Sequence, residues 1–373
     1  MEFNPEQPPQ ISADNQNMII CKNCGAKLTF APGTLNLKCE FCGAENEIVI
    51  DEKEKEEAVK ENDFLKALEN ISDDQLEEVH TVKCKCCGAE TTFDSNVISS
   101  KCDFCGSPIA VDSKSTAKVI KPKAILPFAV KKSQGKEKFE NWMKSLWFAP
   151  SDLTKLAAQD QGLSGTYLPF WTYDAKTDTF YTGRRGENYT TTETYKDSQG
   201  QTQTREVVHT NWYRASGRVQ NVFDDIFVTG TNSLPKEYLE SLEPWNLQDL
   251  VPYNESFLTG FKTETYSVDL KQGFENAQEK MQSTIDQSIR EDIGGDKQEI
   301  STKQTQYNDI TYKHILLPVW LSAYRYNNKV YRFMINGQSG KVKGERPYSA
   351  MKIILFIVAI IAVISLIVML CSK

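Results

Sequence analysis

Residues 21–45 read CKNCGAKLTFAPGTLNLKCEFCGAE, and residues 84–108 read CKCCGAETTFDSNVISSKCDFCGSP. Each holds the pattern Cys-x2-Cys-x14-Cys-x2-Cys: Cys21, Cys24, Cys39 and Cys42 in the first, Cys84, Cys87, Cys102 and Cys105 in the second. A shift of 63 residues superposes all eight cysteines, along with Gly25 on Gly88, Phe30 on Phe93 and Gly43 on Gly106, so the pattern is an internal duplication. A Cys-x-x-Cys knuckle folds two thiolates onto one side of a tight turn. The glycine after the second cysteine allows the backbone conformation in which amide N–H groups approach sulfur. Two knuckles brought together by a hairpin set four thiolates at tetrahedral corners. With no open position, such a set favours structural zinc, two ions per chain, over catalysis; iron is the chemical alternative. Zinc binding is worth on the order of 10–16 kcal/mol in zinc-finger peptides, enough to fold a module too small for its own core. Cys86 lies inside the second knuckle, where the first has Asn23, and reads as a spare thiol.

Charge says little for nucleic acid. Residues 21–50 and 81–110 each hold three lysines and three acids, and neither carries a basic stripe. The chain is 373 residues long with a formal charge of −7, and residues 51–80 alone hold twelve acids against four lysines. That run reads as a solvated linker held extended by self-repulsion.

Residues 353–370, IILFIVAIIAVISLIVML, carry no charge. At ~1.5 Å rise per residue they span about 27 Å, close to the ~30 Å hydrocarbon core of a bilayer. The run reads as one transmembrane helix over 351–370, acting as a tail anchor, with Lys352 and Lys373 able to reach the two headgroup layers. Lys341, Lys343, Arg346 and Lys352 against Glu345 place the preceding chain in the cytoplasm. Residues 1–17 are polar, read as a disordered tail and contain no secretory signal. A disulfide framework conflicts with that compartment.

Residues 118–348 are long enough for a sizeable core and read as an α+β domain. Phe139, Trp142, Met143, Leu146 and Trp147 recur at helical spacing, and a short helix follows over 152–159. Strand-like stretches fill 166–229, with 187–206 as a long polar hairpin or mobile loop. A long amphipathic helix over 269–293 turns Phe274, Ala277, Met281, Ile285 and Ile289 to one face and stops at Gly294-Gly295. Two last strands are joined by Asn327-Asn328. LPFWTYDAKTDTFYTG (168–183) and LPVWLSAYRYNNKVYRF (317–333) echo one another, and Trp171 and Trp320 read as core residues of related hairpins. No phosphate loop, nucleophile elbow or zinc-protease motif occurs, and His80, His209 and His314 lie far apart. The chain is therefore expected not to be an enzyme.

The paired cysteine segments, LPFWTYDA (168–175), PWNLQDLVPYNESFLTGFKTETYSVDL (244–270) and INGQSGKVKGERPYSAMK (335–352) together resemble the YdjG-like group of bacterial and archaeal tail-anchored double zinc-ribbon membrane proteins. Their ribbons have drawn helicase-like labels, but no helicase motor motif is present here. The resemblance implies a link with envelope-stress systems in which such proteins recruit partners to the membrane, and it transfers only the eight cysteines. The sequence thus leads to a multidomain architecture: ribbon 1 over 18–50, an acidic linker over 51–80, ribbon 2 over 81–113, the α+β domain over 118–348 and the membrane helix over 351–370. The expected role is a membrane-anchored cytosolic adaptor that holds cytosolic or membrane proteins near the lipid bilayer. Membrane-tethered nucleic-acid binding is the alternative.

Overall fold

The computed structural model describes residues 19–92, 99–110, 114–153, 162–196, 198–327 and 329–371. The expected N-terminal tail over 1–17 and most of the helix expected over 152–159 lie outside them. The first part of the chain holds β1 (Leu28–Phe30), β2 (Asn36–Cys39), β3 (Glu45–Glu47), α1 (Glu52–Val59), β4 (Asn62–Asp63), α2 (Phe64–Glu69), β5 (Leu76–Lys83), β6 (Glu90–Thr92), β7 (Ser99–Lys101), β8 (Pro108–Ala110) and β9 (Lys114–Ile120). The larger part follows with β10 (Ala124–Ile125), α3 (Lys132–Ser145), β11 (Ser164–Lys196), β12 (Thr202–Thr229), α4 (Lys236–Glu240), β13 (Val251–Pro252) and β14 (Lys262–Thr263). It ends with α5 (Leu270–Ile293), β15 (Lys297–Tyr326), β16 (Lys329–Asn336), β17 (Val342–Gly344) and α6 (Ala350–Cys371).

A strand covered on both faces reads as a continuous apolar run rather than an alternation. TYLPFWTY (166–173) and HILLPVWL (314–321) are two such runs, and they lie against each other in the middle of the sheet. β11 and β15 pair antiparallel from Ser164↔Leu321 to Gly186↔Lys297, with Leu168 directly opposite Leu317. Odd residues of β11 and even residues of β15, such as Trp171, Tyr173, Tyr312 and Trp320, face the helices α3 and α5. Leu168, Phe170, Leu317 and Val319 face the other way, into a core shared with the second cysteine module.

About this pair the domain is duplicated. One copy runs β10, α3, β11, β12, and the other runs β14, α5, β15, β16. β10 lies parallel to β15 at Ile315 and Leu316, while β14 lies parallel to β11 at Thr166 and Tyr167. Each central strand then changes neighbour, to β12 from Phe170 and to β16 from Val319. Pro169 and Pro318 stand at those changeovers, where a missing N–H removes no ladder bond. Gly230 and Gly337 donate to the two proline carbonyls, at 2.9 and 2.8 Å. The copies exchange their helices. Trp320 Nε1 donates to Val130 O, two residues before α3, and Trp171 Nε1 donates to Val268 O, two residues before α5, both at 2.9 Å. The echo between the two Leu-Pro-x-Trp segments is therefore a structural repeat, and both tryptophans are core residues.

Past a bulge between Tyr173 and Ala175 the strands continue as an arm. β15 leaves the pairing at Gly186, and residues 187–211 go on as a two-stranded ribbon to the turn between Lys196 and Thr202. At ~3.3 Å per residue the 33 residues of β11 extend about 110 Å. The polar stretch 187–206 is thus a hairpin. α5 covers one face of the arm's base with Leu270, Phe274, Ala277, Met281, Ile285, Ile289 and Ile293. Asp269 caps its start by accepting from Gln272 N, and Gly294 in a left-handed conformation ends it.

The acidic run departs from expectation. Residues 51–80 do not form a free spacer: Phe64 and Ala67 of α2 are buried, with the Phe64 ring against Tyr173 and Phe274, and β4 pairs with β15 at Asp63↔Thr311. Charge density alone favours extension, but two apolar side chains and an open strand edge outweigh it. β5 pairs with both β6 and β9, so the second cysteine module takes its sheet from 76–83 and 114–120, across the expected boundaries. Residues 235–250 hold α4 and one short turn at Leu247–Asp249. α6 is 22 residues long, with a mean hydropathy of 3.5 over an 18-residue stretch and none of its residues buried; by length and composition it can cross a membrane. Lys352 does not reach outward but donates to Ala149 O at 2.7 Å.

The exchanged-helix duplication makes a paired prediction. Trp171→Phe and Trp320→Phe keep a buried aromatic ring, though a smaller one, and leave Val268 O or Val130 O without its donor. Each is expected to cost about 1–3 kcal/mol, read by urea unfolding in detergent. A large cost at one tryptophan and none at the other would sink the equivalence.

Candidate metal centres and the cleft between them

The same small backbone unit occurs four times. Gly25, Gly43, Gly88 and Gly106 have φ of +74°, +73°, +78° and +69°, which an L side chain adopts only with strain. Each donates its N–H to the carbonyl of the first cysteine of its knuckle, at 2.8, 3.0, 2.9 and 2.7 Å. Cys21, Cys39 and Cys84 return a bond from their own N–H to Ala26, Ala44 and Ala89, and Cys102 does so to Ser107. These eight bonds fix where the sulfurs point before any metal arrives.

In the first set Cys21 Sγ lies 3.6 Å from Cys42 Sγ and Cys24 Sγ 3.5 Å from Cys39 Sγ. In the second the matching distances are 3.7 Å for Cys84–Cys105 and 3.6 Å for Cys87–Cys102. Within each set all four sulfurs lie inside 4.8 Å of one another. Four thiolates held ~2.3 Å from one ion stand roughly 3.8 Å apart, so both sets fit a tetrahedral metal. The structure brings together all eight cysteines that the spacing singled out, in the two groups expected. Cys86 is exposed and outside the set, and no cysteine forms a disulfide among the described residues.

Titration of the thiols shows why a cation belongs there. The Ala44 N–H and then the Cys24 thiol lower Cys42 to about 6. The Cys102 thiol and then the Ala89 N–H lower Cys87 to about 5, against the effect of burial. Cys24 and Cys102 shift the other way. Cys24 receives the Ala26 N–H, which favours its thiolate, yet its neighbours Cys39 and Cys42 push it up to about 12. Cys102 is raised by Cys87 and by burial. In each set one lowered thiol stands beside one raised thiol, a crowding of charge that a divalent ion would compensate.

Both modules are docked on the platform. In the first, Phe30 N donates to Thr259 O and Gly33 N to Phe128 O, while the Phe30 ring meets Phe257 edge-on at 5.2 Å. In the second, Thr265 N donates to Glu90 O, Thr263 N to Thr92 Oγ1, and Lys262 pairs with Asp103 at 2.7 Å. Because both modules attach along 257–265, they face each other across a cleft of about 1060 Å³. Its floor is Gly165, Phe261 and Trp320, its walls carry Lys38, Glu40 and Asp103, and Lys131 and Lys132 close one end. A side chain at Gly165 would collide with the Phe261 ring, its Cβ falling 2.4 Å from Cδ1. Lys38 is paired with Glu45 across the first module. Sequence reading missed this cleft, since its lining is scattered from Thr29 to Val330.

A second cluster also escaped it. Glu61, Asp174 and Asp224 bring carboxylate oxygens within 4.8 Å of one another. Lys313, only 8% exposed, already supplies the compensating charge, reaching Glu61 and Asp225 at 2.9 Å each. Burial, followed by the Glu61 carboxylate, pushes Asp174 up to about 7. Burial opposes ionisation of Glu61 too, but its bonds with Asp174 and Thr311 and the Lys313 ammonium hold it below the usual range. The three histidines do not converge: His80 meets Thr116, His209 meets Thr191, and His314 is buried on Trp171.

No family model matches the chain, and no solved structure matches it. The Uncharacterized protein YdjG of Bacillus subtilis (strain 168) is 26% identical over 334 residues, covering 89% of this chain and 91% of that protein.

Two outcomes are expected. Elemental analysis should find two metal ions per chain, with Cys39→Ala removing one and Cys86→Ala removing none. Asp174 has a folded pKa raised above its ordinary value, so its protonated form favours the docked segment 61–69; that contribution is complete below about pH 4 and is lost as pH rises through about 7. The hydrogen-exchange protection of 61–69, taken relative to the intrinsic rate at each pH, should therefore fall as pH rises from about 4 through about 7 in the wild type and stay level in Asp174→Asn.

Proposed function

We propose that the chain is a membrane-anchored cytosolic adaptor, with two structural zinc ribbons docked on a sheet platform that seats a segment of a partner protein. The observation that carries this reading is the cleft between the ribbons. Its lining offers lysines, carboxylates and aromatic rings on walls held by two metal-stapled modules, and it includes no histidine among the described residues. Such a lining suits recognition of a mixed-charge segment better than turnover. Closed sets of four thiolates in a reducing compartment suit zinc in a structural role. The basic flank before α6 supports a cytosolic platform, and the anchor raises the effective concentration of any partner near the bilayer. The envelope-stress setting implied by the resemblance is where partners are to be sought.

Nucleic-acid binding is the second reading, favoured by three guanidinium–aromatic pairs on the arm: Arg184 on Trp212, Arg205 on Tyr195 and Arg218 on Phe180, at 5.2 to 5.6 Å. Aromatic–cation platforms of this kind bind single strands. Here each arginine is also paired with a carboxylate, Glu299, Glu193 or Asp178, which occupies the donors a phosphate would need.

A photoreactive residue at Thr34 in the full chain, crosslinked in intact membranes, should give discrete protein adducts that Lys131→Glu with Lys132→Glu diminishes at least about fivefold. Adducts to nucleic acid from a probe at Tyr195, with none to protein at Thr34, would transfer the function to the arm. Zinc is checked on the same preparation: iron in a site of four thiolates would colour the protein, whereas zinc leaves it colourless.

A further inference from the structure

α6 does not leave the platform as a loose tether. Trp147 and Phe148 follow the end of α3, and their rings meet Phe356 of α6 with centroids 6.5 and 5.3 Å away. One backbone and one side-chain hydrogen bond hold this contact: Ser349 N donates to Phe148 O and Lys352 Nζ to Ala149 O, both at 2.7 Å. Trp147 nevertheless remains 77% exposed, the most exposed tryptophan or phenylalanine of the platform. A large apolar ring held rigidly in the open needs a reason.

The charge-free run begins at Ile353, so Phe356 lies three residues inside it, about 4.5 Å along the helix axis. A ring centroid 6.5 Å from Phe356 can stand at most a few ångströms outside the hydrocarbon edge. The headgroup layer on each side is about 5–8 Å deep. Wherever α6 spans, Trp147 is carried into lipid. Tryptophan favours that layer, because its indole offers an apolar body to the acyl chains and an N–H to the wet side.

We propose that Trp147, backed by Phe148, is a second membrane contact that inserts into the interfacial layer of the bilayer and fixes the pose of the platform on it. The inference rests on the membrane anchoring proposed above. Its consequence reaches the far end of the sheet. α3 is stacked on the sheet through Phe139 and Phe333, with centroids 3.7 Å apart. The arm leaves from the same sheet, with its tip at the opposite end of β11 from the strands that lead into α6. A platform seated at two points presents its cleft and arm in one orientation, whereas a single flexible tether would not.

All six tryptophans lie outside α6, at 142, 147, 171, 212, 245 and 320, so lipid-borne quenching reports on the platform. The full chain would be reconstituted into phosphatidylcholine vesicles whose acyl chains carry bromine near the glycerol end, and tryptophan emission measured beside unbrominated vesicles. Co-flotation with the vesicles is scored first. Shallow quenching is expected in the wild type and in Trp142→Phe, and should fall at least about threefold in Trp147→Phe, a surface change that leaves the fold intact. A chain that floats but shows no shallow quenching, or quenching that Trp147→Phe leaves unchanged, overturns the inference while anchoring stands. A chain that does not float overturns both.

Discussion

The antiparallel pairing of β11 with β15 about Leu168 and Leu317 is the constraint on which the rest of this molecule depends. Two chain segments more than a hundred residues apart must meet in one register. A slip of one residue would turn Trp171 and Trp320 from the helix side to the side of the second cysteine module. In the observed register each tryptophan finds a carbonyl at the entry of a helix from the other copy, Val268 O or Val130 O. Both helices are thereby attached to the strands of the opposite repeat, and neither copy can bury its apolar face alone. Gly135 and Gly273 belong to the same arrangement: a Cβ on Gly273 would fall 2.2 Å from the Tyr173 hydroxyl, and one on Gly135 would crowd Leu163 at 3.1 Å.

The cysteine modules are extensions of this core rather than beads beside it. Leu28, Phe30 and Leu37 of the first join Phe128, Phe139 and Trp320 in one apolar cluster. Val82, Ala89 and Phe104 of the second join Leu126, Leu168, Leu317 and Val319 in another, on the opposite side of the central strands. Metal binding and platform packing are therefore coupled, because the residues that close each thiolate set also fill the space over the sheet. The cleft follows from the same geometry: the two thiolate-bearing modules, attached along one segment, 257–265, leave a gap between them, lined by Phe261 and Trp320. Its width is then held by the packed core beneath both modules, with little left to loop flexibility.

What could be read from residues alone was whatever local physics decides. Cysteine spacing of two, fourteen and two, with glycine after each knuckle, is a local device, and it placed all eight sulfurs in their two sets. Eighteen uncharged residues in a row, all apolar but Ser365, imply a helix able to cross a bilayer whatever surrounds them. The 3.6-residue period of Phe274, Ala277, Met281, Ile285 and Ile289 held over the whole of α5, because one continuous helix buries one continuous stripe. Tertiary structure alone decided the questions that turn on partners distant in sequence. The charge of 51–80 predicts extension, but Phe64 and Glu61 find Phe274 and Lys313 more than two hundred residues away and dock the run. The Leu-Pro-x-Trp echo acquires meaning only when the two copies face each other and exchange helices. Trp147 reads as one more apolar position of a helix, and only the contact with Phe356 takes it out of the core and to the level of the membrane. Local spacing fixes which groups can act together within a turn or a strand; which faces are covered, and by what, is set by long-range register.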